Sequence, residues 1–190
     1  MRGLLASHVL HYTEWGDPQS KQVVVCAHGY SGNARDFDYL ARRLAERARV
    51  ACIDFPGRGD SQWLDSPLEY NLPQFATGAR ALIERLGAKQ VDWVGTSMGG
   101  LVGMQLAAQG ASPIRRLVLN DVGAYLPMGA LQEIARHLEA PESFASLEAV
   151  EKHLRRTRRD WGPIDESQWP ALARHHARAL RPGSSQWRLH

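Results

Sequence analysis

Alternating strand-like and helix-like stretches over roughly the first three-fifths of the chain predict an α/β fold with a mostly parallel sheet. Two observations carry this prediction. Short apolar runs stopped by glycine or proline, QVVVCAHG at 22–29 and RVACIDFPG at 49–57, have the pattern of strands buried on both faces. Between and after them apolar residues recur at helical spacing, so single helices join consecutive strands. That arrangement pairs strands in parallel through right-handed crossovers. From about Ala124 only helical patterns remain, which divides the chain into a core over 1–123 and a helical subdomain over 124–190.

In chain order, Val9–Trp15 reads as a first strand that turns at Gly16-Asp17-Pro18. After the 22–29 strand, Phe37, Leu40, Ala41 and Leu44 fall at i, i+3, i+4 and i+7, the spacing of an amphipathic helix. The 49–57 strand is followed by Phe75, Ala79, Leu82, Ile83 and Leu86, a second helix stopped by Gly87. QVDWVG at 90–95 is the next strand, LVGMQLAAQG the helix after it, and IRRLVLND at 114–121 a further strand. In the second part, Leu131, Ile134, Ala135 and Leu138 mark one helix, and Leu147, Val150 and Leu154 another. Trp169, Leu172, Ala173 and Leu180 mark a third, with Asp165 and Gln168 spaced as a capping box at its start. No strand pattern is expected beyond it.

The 190 residues are 44% hydrophobic and 23% charged, an ordinary balance for a soluble globular chain with one good core. A formal charge of +3 favours neither nucleic acid nor a membrane surface as partner. The densest basic run, KHLRRTRRD at 152–160, contains no aromatic stacking residue and reads as the solvated face of a helix. No stretch approaches the ~18 apolar residues of a membrane span. The N-terminus lacks the apolar core of a secretory signal. Cys26 and Cys52 fall inside strands and pack as small, reduced, apolar groups, so the expected location is the cytoplasm. Neither has the spacing of a metal site, and no cofactor is expected.

Open parallel sheets gather their functional loops at the carboxyl ends of the strands. At the end of the 90–95 strand, Gly95-Thr96-Ser97-Met98-Gly99 reads G-x-S-x-G and opens a helix. Small residues two before and two after the serine let the backbone reverse sharply and leave the hydroxyl protruding. Ser97 is therefore the candidate nucleophile. Stabilising the oxyanion of an acyl-transfer intermediate takes two N–H groups. Met98, which follows the nucleophile, and Tyr30, in the His28-Gly29-Tyr30 loop after an earlier strand, are the candidates. His28 reads as a structural imidazole propping the loop that Gly29 frees. In DFPGRGDS at 54–61, Gly57 and Gly59 suit a tight loop whose Arg58 and Asp60 hold each other or nearby backbone.

HGYSG, DFPGRGDS, GTSMGG and LVLNDVG, in this order and spacing, resemble the α/β-hydrolase superfamily. More narrowly they are similar to single-domain esterases and related serine hydrolases with a helical cap. The resemblance is close over residues 10–123 and loose beyond. It implies a sheet of the α/β-hydrolase type under a helical cap and hydrolysis of a small ester-like molecule through an acyl-enzyme on Ser97. Serine at position 97 disfavours the branch that uses an aspartate nucleophile, the haloalkane dehalogenases and epoxide hydrolases. The resemblance further implies an acid after the cap and a histidine after a final strand. Neither terminal strand is in evidence before His190, so the fold is expected to be C-terminally incomplete, which leaves the activity of the isolated chain open.

Asp121, at the end of a strand, is the one internal acid that could serve as a triad member or substrate contact. His137, His153, His175 and His176 lie on expected cap helices and His190 ends the chain; none is read as the base. The 114–121 strand, without outer neighbours, would be an open edge inviting self-association. Two other readings stay open: C–C bond or thioester hydrolysis by the same serine, and a non-catalytic fragment or binding module.

Overall fold

The computed structural model describes residues 8–129, 131–132 and 143–189. The chain divides into two compact units, Met1–Val122 and Gly123–His190.

The first unit is built on five strands: β1 (Tyr12–Trp15), β2 (Val23–Ala27), β3 (Arg49–Ile53), β4 (Val91–Thr96) and β5 (Ile114–Asn120). Their order is β1-β3-β2-β4-β5. β1 runs antiparallel to β3, and every other pairing is parallel. The continuous apolar runs become strands without an exposed side: every residue of β2 is buried. Helices α2 (Leu72–Arg85) and α3 (Met98–Ala107) supply the core on one face, where Phe75, Leu82, Ile83 and Val102 join Trp93 of β4 and Phe55. A 3₁₀ turn over Ala34–Phe37 and helix α1 (Asp38–Leu44) cover the other face with Phe37 and Ala41. Burial on this scale stabilises by roughly 25 cal/mol per Å² of apolar surface removed from water.

Local chemistry sets the helix ends. Asn71 accepts the Gln74 N–H at 2.9 Å to cap α2, and Gly87 takes φ +67° just past its end. Cys26 and Cys52 stand opposite each other in the β2–β3 register and are free thiols. The Cys26 neighbour and then burial push the Cys52 thiol up, so it stays protonated.

Two details of the first unit differ from expectation. The first strand begins at Tyr12, because Val9 pairs instead with Gln62, accepting its N–H at 2.9 Å and donating to its Oε1 at 3.0 Å. Leu40 is exposed although its spacing places it on the apolar stripe. The 3₁₀ geometry through Phe37 turns three residues per turn rather than 3.6, which shifts the phase of the helix that follows. β5 is an edge strand among the described residues, and its Val118 and Leu119 are 53% and 38% exposed. Arg115 and Arg116 on this strand reach Asp92 of β4 at 2.6 and 3.6 Å, and Arg115 holds that carboxyl below its usual range.

The second unit packs helix α4 (Leu147–Thr157) and helix α5 (Trp169–His176) around Phe144, Val150, Leu154, Trp169 and Ala173. Ser146 caps α4 by accepting the Ala149 N–H at 3.2 Å. Strands β6 (Ala177–Ala179) and β7 (Trp187–Leu189) form an antiparallel pair, which corrects the expectation of no further strand. Three-residue strands are too short to leave a period in the sequence, and Leu180, assigned to the helix, lies beyond β6. Asp165 caps a 3₁₀ turn over Glu166–Gln168 by accepting the Ser167 N–H at 2.8 Å, rather than forming a capping box on α5. Of the residues that mark a helix over 131–138, only Leu131 falls among the described residues; its N–H bonds the Pro127 carbonyl at 3.2 Å. His137 and His190 lie outside the described residues. No helix among the described residues is long and apolar enough to cross a membrane.

Candidate active site

Ser97 sits between the end of β4 and the first residue of α3, with φ +48°. A non-glycine residue in that region costs of order 1–3 kcal/mol and persists only where its surroundings over-determine it. Here several contacts do so. The Ser97 N–H donates to the Asn120 carbonyl of β5 at 2.9 Å, and its carbonyl accepts the Gly100 and Leu101 N–H groups at 2.9 and 3.1 Å. A Cβ on Gly95 would lie 2.5 Å from Gly100 N, and one on Gly99 would collide with the Ala27 carbonyl of β2. The Trp93 indole N–H donates to the Gly99 carbonyl at 2.9 Å, tying the turn to the core. Strand, serine and helix can therefore follow one another only because positions 95 and 99 carry no side chain. Ser97 is half-buried, and among the described residues no group hydrogen-bonds its Oγ.

The loop after β2 runs alongside. A Cβ on Gly29 would stand 3.6 Å from Ser97 Cβ, in ordinary van der Waals contact, so this loop runs beside the serine. His28 is fully buried with both ring nitrogens engaged. Nε2 accepts the Phe55 N–H at 3.0 Å, which leaves Nδ1 protonated to donate to the Gly29 carbonyl at 2.7 Å. Burial pushes the His28 imidazole down to about 4, so it is neutral near pH 7. The Gly29 carbonyl also accepts the Gly32 N–H at 3.1 Å. The Gly29–Tyr30 peptide thus has its carbonyl end held twice. Its N–H end, on Tyr30, donates to no group among the described residues. Met98 opens α3, and its N–H has no acceptor one turn earlier in the helix.

The loop after β3 supports the previous one. Asp54 is buried; its Oδ1 accepts the Ala34 N–H at 2.7 Å, and its Oδ2 accepts from His11 Nδ1 at 2.7 Å and from the Asp60 N–H at 3.1 Å. Gly59, at φ +52°, leaves the space that this carboxylate occupies. Arg58 turns to backbone, the second of the two expectations for it: Nε donates to the Tyr30 carbonyl and Nη1 to the Pro56 carbonyl, each at 3.0 Å. His11, Asp54 and Asp60 lie close enough to share a cation, but His11 Nδ1 and Asp54 Oδ2 already bond each other, and both Asp54 oxygens accept backbone N–H groups.

Asp121 stands one residue beyond the carbonyl that accepts the Ser97 N–H, exposed, with φ +54°. Its backbone is thus adjacent to the serine turn in register. In the second unit, His153 packs edge-on against Phe144, with its imidazole pushed down first by burial and then by Arg156 and Arg158. His176 is buried against Arg158, at 3.1–3.2 Å from its guanidinium. Sequence patterns assign Ser97, Met98, His28, Gly29 and Tyr30 to one place, and the structure brings these five together. The connection of Arg58 to Tyr30, 28 residues away, left no local signal beyond an arginine between two glycines at a strand end.

A sequence profile described as the alpha/beta hydrolase fold matches residues 22–178. The chain is 41% identical over 187 residues to a 3-hydroxybutyrate-oligomer hydrolase of Cupriavidus necator, covering 96% of this chain and 63% of the relative. It is 28% identical over 180 residues to lipase LipV of Mycobacterium tuberculosis, covering 95% of this chain and 66% of the relative. A crystal structure of a Rickettsia typhi protein described as a hydrolase superposes with a TM-score of 0.90 at 32% identity, over 96% of this chain and 64% of that one. The chain spans less than two thirds of the length of each.

Proposed function

The chain belongs to the α/β-hydrolase fold family, and from that membership we propose that it serves as a carboxylic-ester hydrolase with Ser97 as nucleophile. The observation that carries the reading is the forced turn at Ser97, which holds the hydroxyl at a strand end beside a loop with an undonated N–H. In this reaction Ser97 Oγ attacks the ester carbonyl carbon and gives its proton to a general base. The tetrahedral oxyanion receives hydrogen bonds from the Tyr30 and Met98 N–H groups. Collapse releases the alcohol, which takes up that proton, and leaves an acyl group on Ser97. Water then gives a proton to the base and attacks the acyl carbon, and collapse of this second oxyanion frees the acid and returns the proton to Ser97 Oγ. Asp121, in register beside the turn, is the proposed acid or substrate contact.

The similarity to a 3-hydroxybutyrate-oligomer hydrolase and to a lipase favours an oxygen ester over a C–C or thioester bond. Oligomers of a hydroxy acid are oligoesters, so short hydroxyacyl esters are the proposed substrate class. The test is hydrolysis of p-nitrophenyl butyrate and of the linear dimer of 3-hydroxybutyrate. Ser97→Ala is expected to lower turnover of both by about a thousandfold or more, while binding persists. Turnover retained by the variant refutes the assignment.

A further inference from the structure

We propose that Arg58 is a positioning residue that aims the Tyr30 N–H at the developing oxyanion. The proposal rests on the ester-hydrolase reading of Ser97.

The donor N–H belongs to the Gly29–Tyr30 peptide, and what holds that peptide is the loop after β3. On its upstream side the His28 ring bridges from the Phe55 N–H to the Gly29 carbonyl. On its downstream side Arg58 Nε–H takes the Tyr30 carbonyl at 3.0 Å, while Nη1–H takes the Pro56 carbonyl of its own loop at 3.0 Å. A planar guanidinium that bonds carbonyls of two different loops fixes both their distance and their relative tilt. The next peptide, Tyr30–Ser31, is thereby held as firmly as the one before it. Rotation of the donor N–H would have to break one of these bonds.

Arg58 is itself built in. It is only 9% exposed, and its guanidinium lies 4.8 Å from the Tyr30 ring centroid, 5.6 Å from Phe75 and 5.8 Å from Tyr70. Gly57, at φ +74°, admits the Tyr70 ring that forms one wall; a Cβ there would lie 2.9 Å from Tyr70 Cε1. Phe75 in turn packs on Phe55, and Phe55 on His28, so the ring contacts close a circuit around the donor peptide. Among the described residues no carboxylate is bonded to this buried cation. Burial lowers its proton affinity, yet arginine stays charged in proteins. A fold that needed only a packed side chain here would be served by a neutral one. A buried arginine spent on two backbone carbonyls fits a demand for orientation.

The test compares Arg58→Met and Arg58→Lys with the unaltered protein. It reads kcat and KM for p-nitrophenyl butyrate, affinity for a trifluoromethyl ketone that adds to Ser97, and amide exchange of Gly32. Arg58→Met is expected to lower kcat by about tenfold or more with KM changed less than about twofold, since one complete oxyanion donor is worth more than this. Ketone affinity should fall by a similar factor. Exchange at Gly32, whose N–H bonds the Gly29 carbonyl, should quicken by about tenfold while the β4 amides are unchanged. Arg58→Lys, which can hold one carbonyl but not both, should fall between. A folded Arg58→Met with unaltered kcat and Gly32 exchange overturns the proposal. So does equal acceleration at Gly32 and β4, which marks a merely structural role. If Arg58→Met does not fold, Arg58→Lys decides by the same readings. The Gly32 exchange needs no substrate, so it reads Arg58 even if Ser97→Ala refutes the ester reading.

Discussion

His28 is a histidine whose chemistry is silenced by its bonds. Accepting from Phe55 and donating to Gly29 leaves it no lone pair for a proton, and burial keeps it neutral. Its folded value near 4 lies below the ordinary 6.5, so the unfolded chain binds a proton that the folded one refuses. The sign follows: stability is fully present above about pH 6.5 and is lost as pH falls towards 4. The slope within this window approaches about 1.4 kcal/mol per pH unit. Urea unfolding from pH 4 to 7 should show it, and His28→Asn should flatten that part of the profile. An identical pH dependence in the variant would place the titrating group elsewhere. The loop role of His28 was legible from its position after a strand and before Gly29; its tautomer, and hence this sign, required Phe55 to be located.

Elements meet closely where β4 turns into α3. The junction depends on α3 approaching β2 so closely that Gly99 faces the Ala27 carbonyl with no room for a methyl group. Gly99→Ala must push the helix away or distort Ser97, and overpacking of this kind costs about 1–3 kcal/mol. The expected outcome is a lower urea midpoint together with slower reaction of Ser97 with a fluorophosphonate. A variant as stable and as reactive as the parent would show that the turn is not held by this contact. The motif was plain in the sequence, as were all five strands of the first unit. The phase of α1 was not, because a 3₁₀ turn shifts the rotation without changing the residues.

The first unit has an apolar cluster on each face of its sheet, and the second unit has one small cluster. Leu154 is nearly fully buried between α4 and α5, so Leu154→Ala leaves a cavity with few neighbours to fill it. The expected cost is about 2–4 kcal/mol. Hydrogen exchange should report it as faster amides in α4; unchanged protection there would mean the cluster contributes little.

Some features are properties of a single stretch of chain. The G-x-S-x-G turn, the buried strands and the helix caps each arise from residues within a few positions of one another, and periodicity or turn chemistry reveals them directly. Other features are agreements between distant segments. The Phe55 N–H on His28, the Arg58 guanidinium on Tyr30 and the Ala27 carbonyl under Gly99 join residues 27, 28 and 72 positions apart. No local pattern encodes which of several loops a guanidinium or an imidazole will bond. The amino acids alone marked Ser97 as the candidate nucleophile. Only the folded chain shows which bonds hold the Gly29–Tyr30 peptide beside it, because hydrogen bonding between loops is settled only when the parallel sheet has brought their strand ends together.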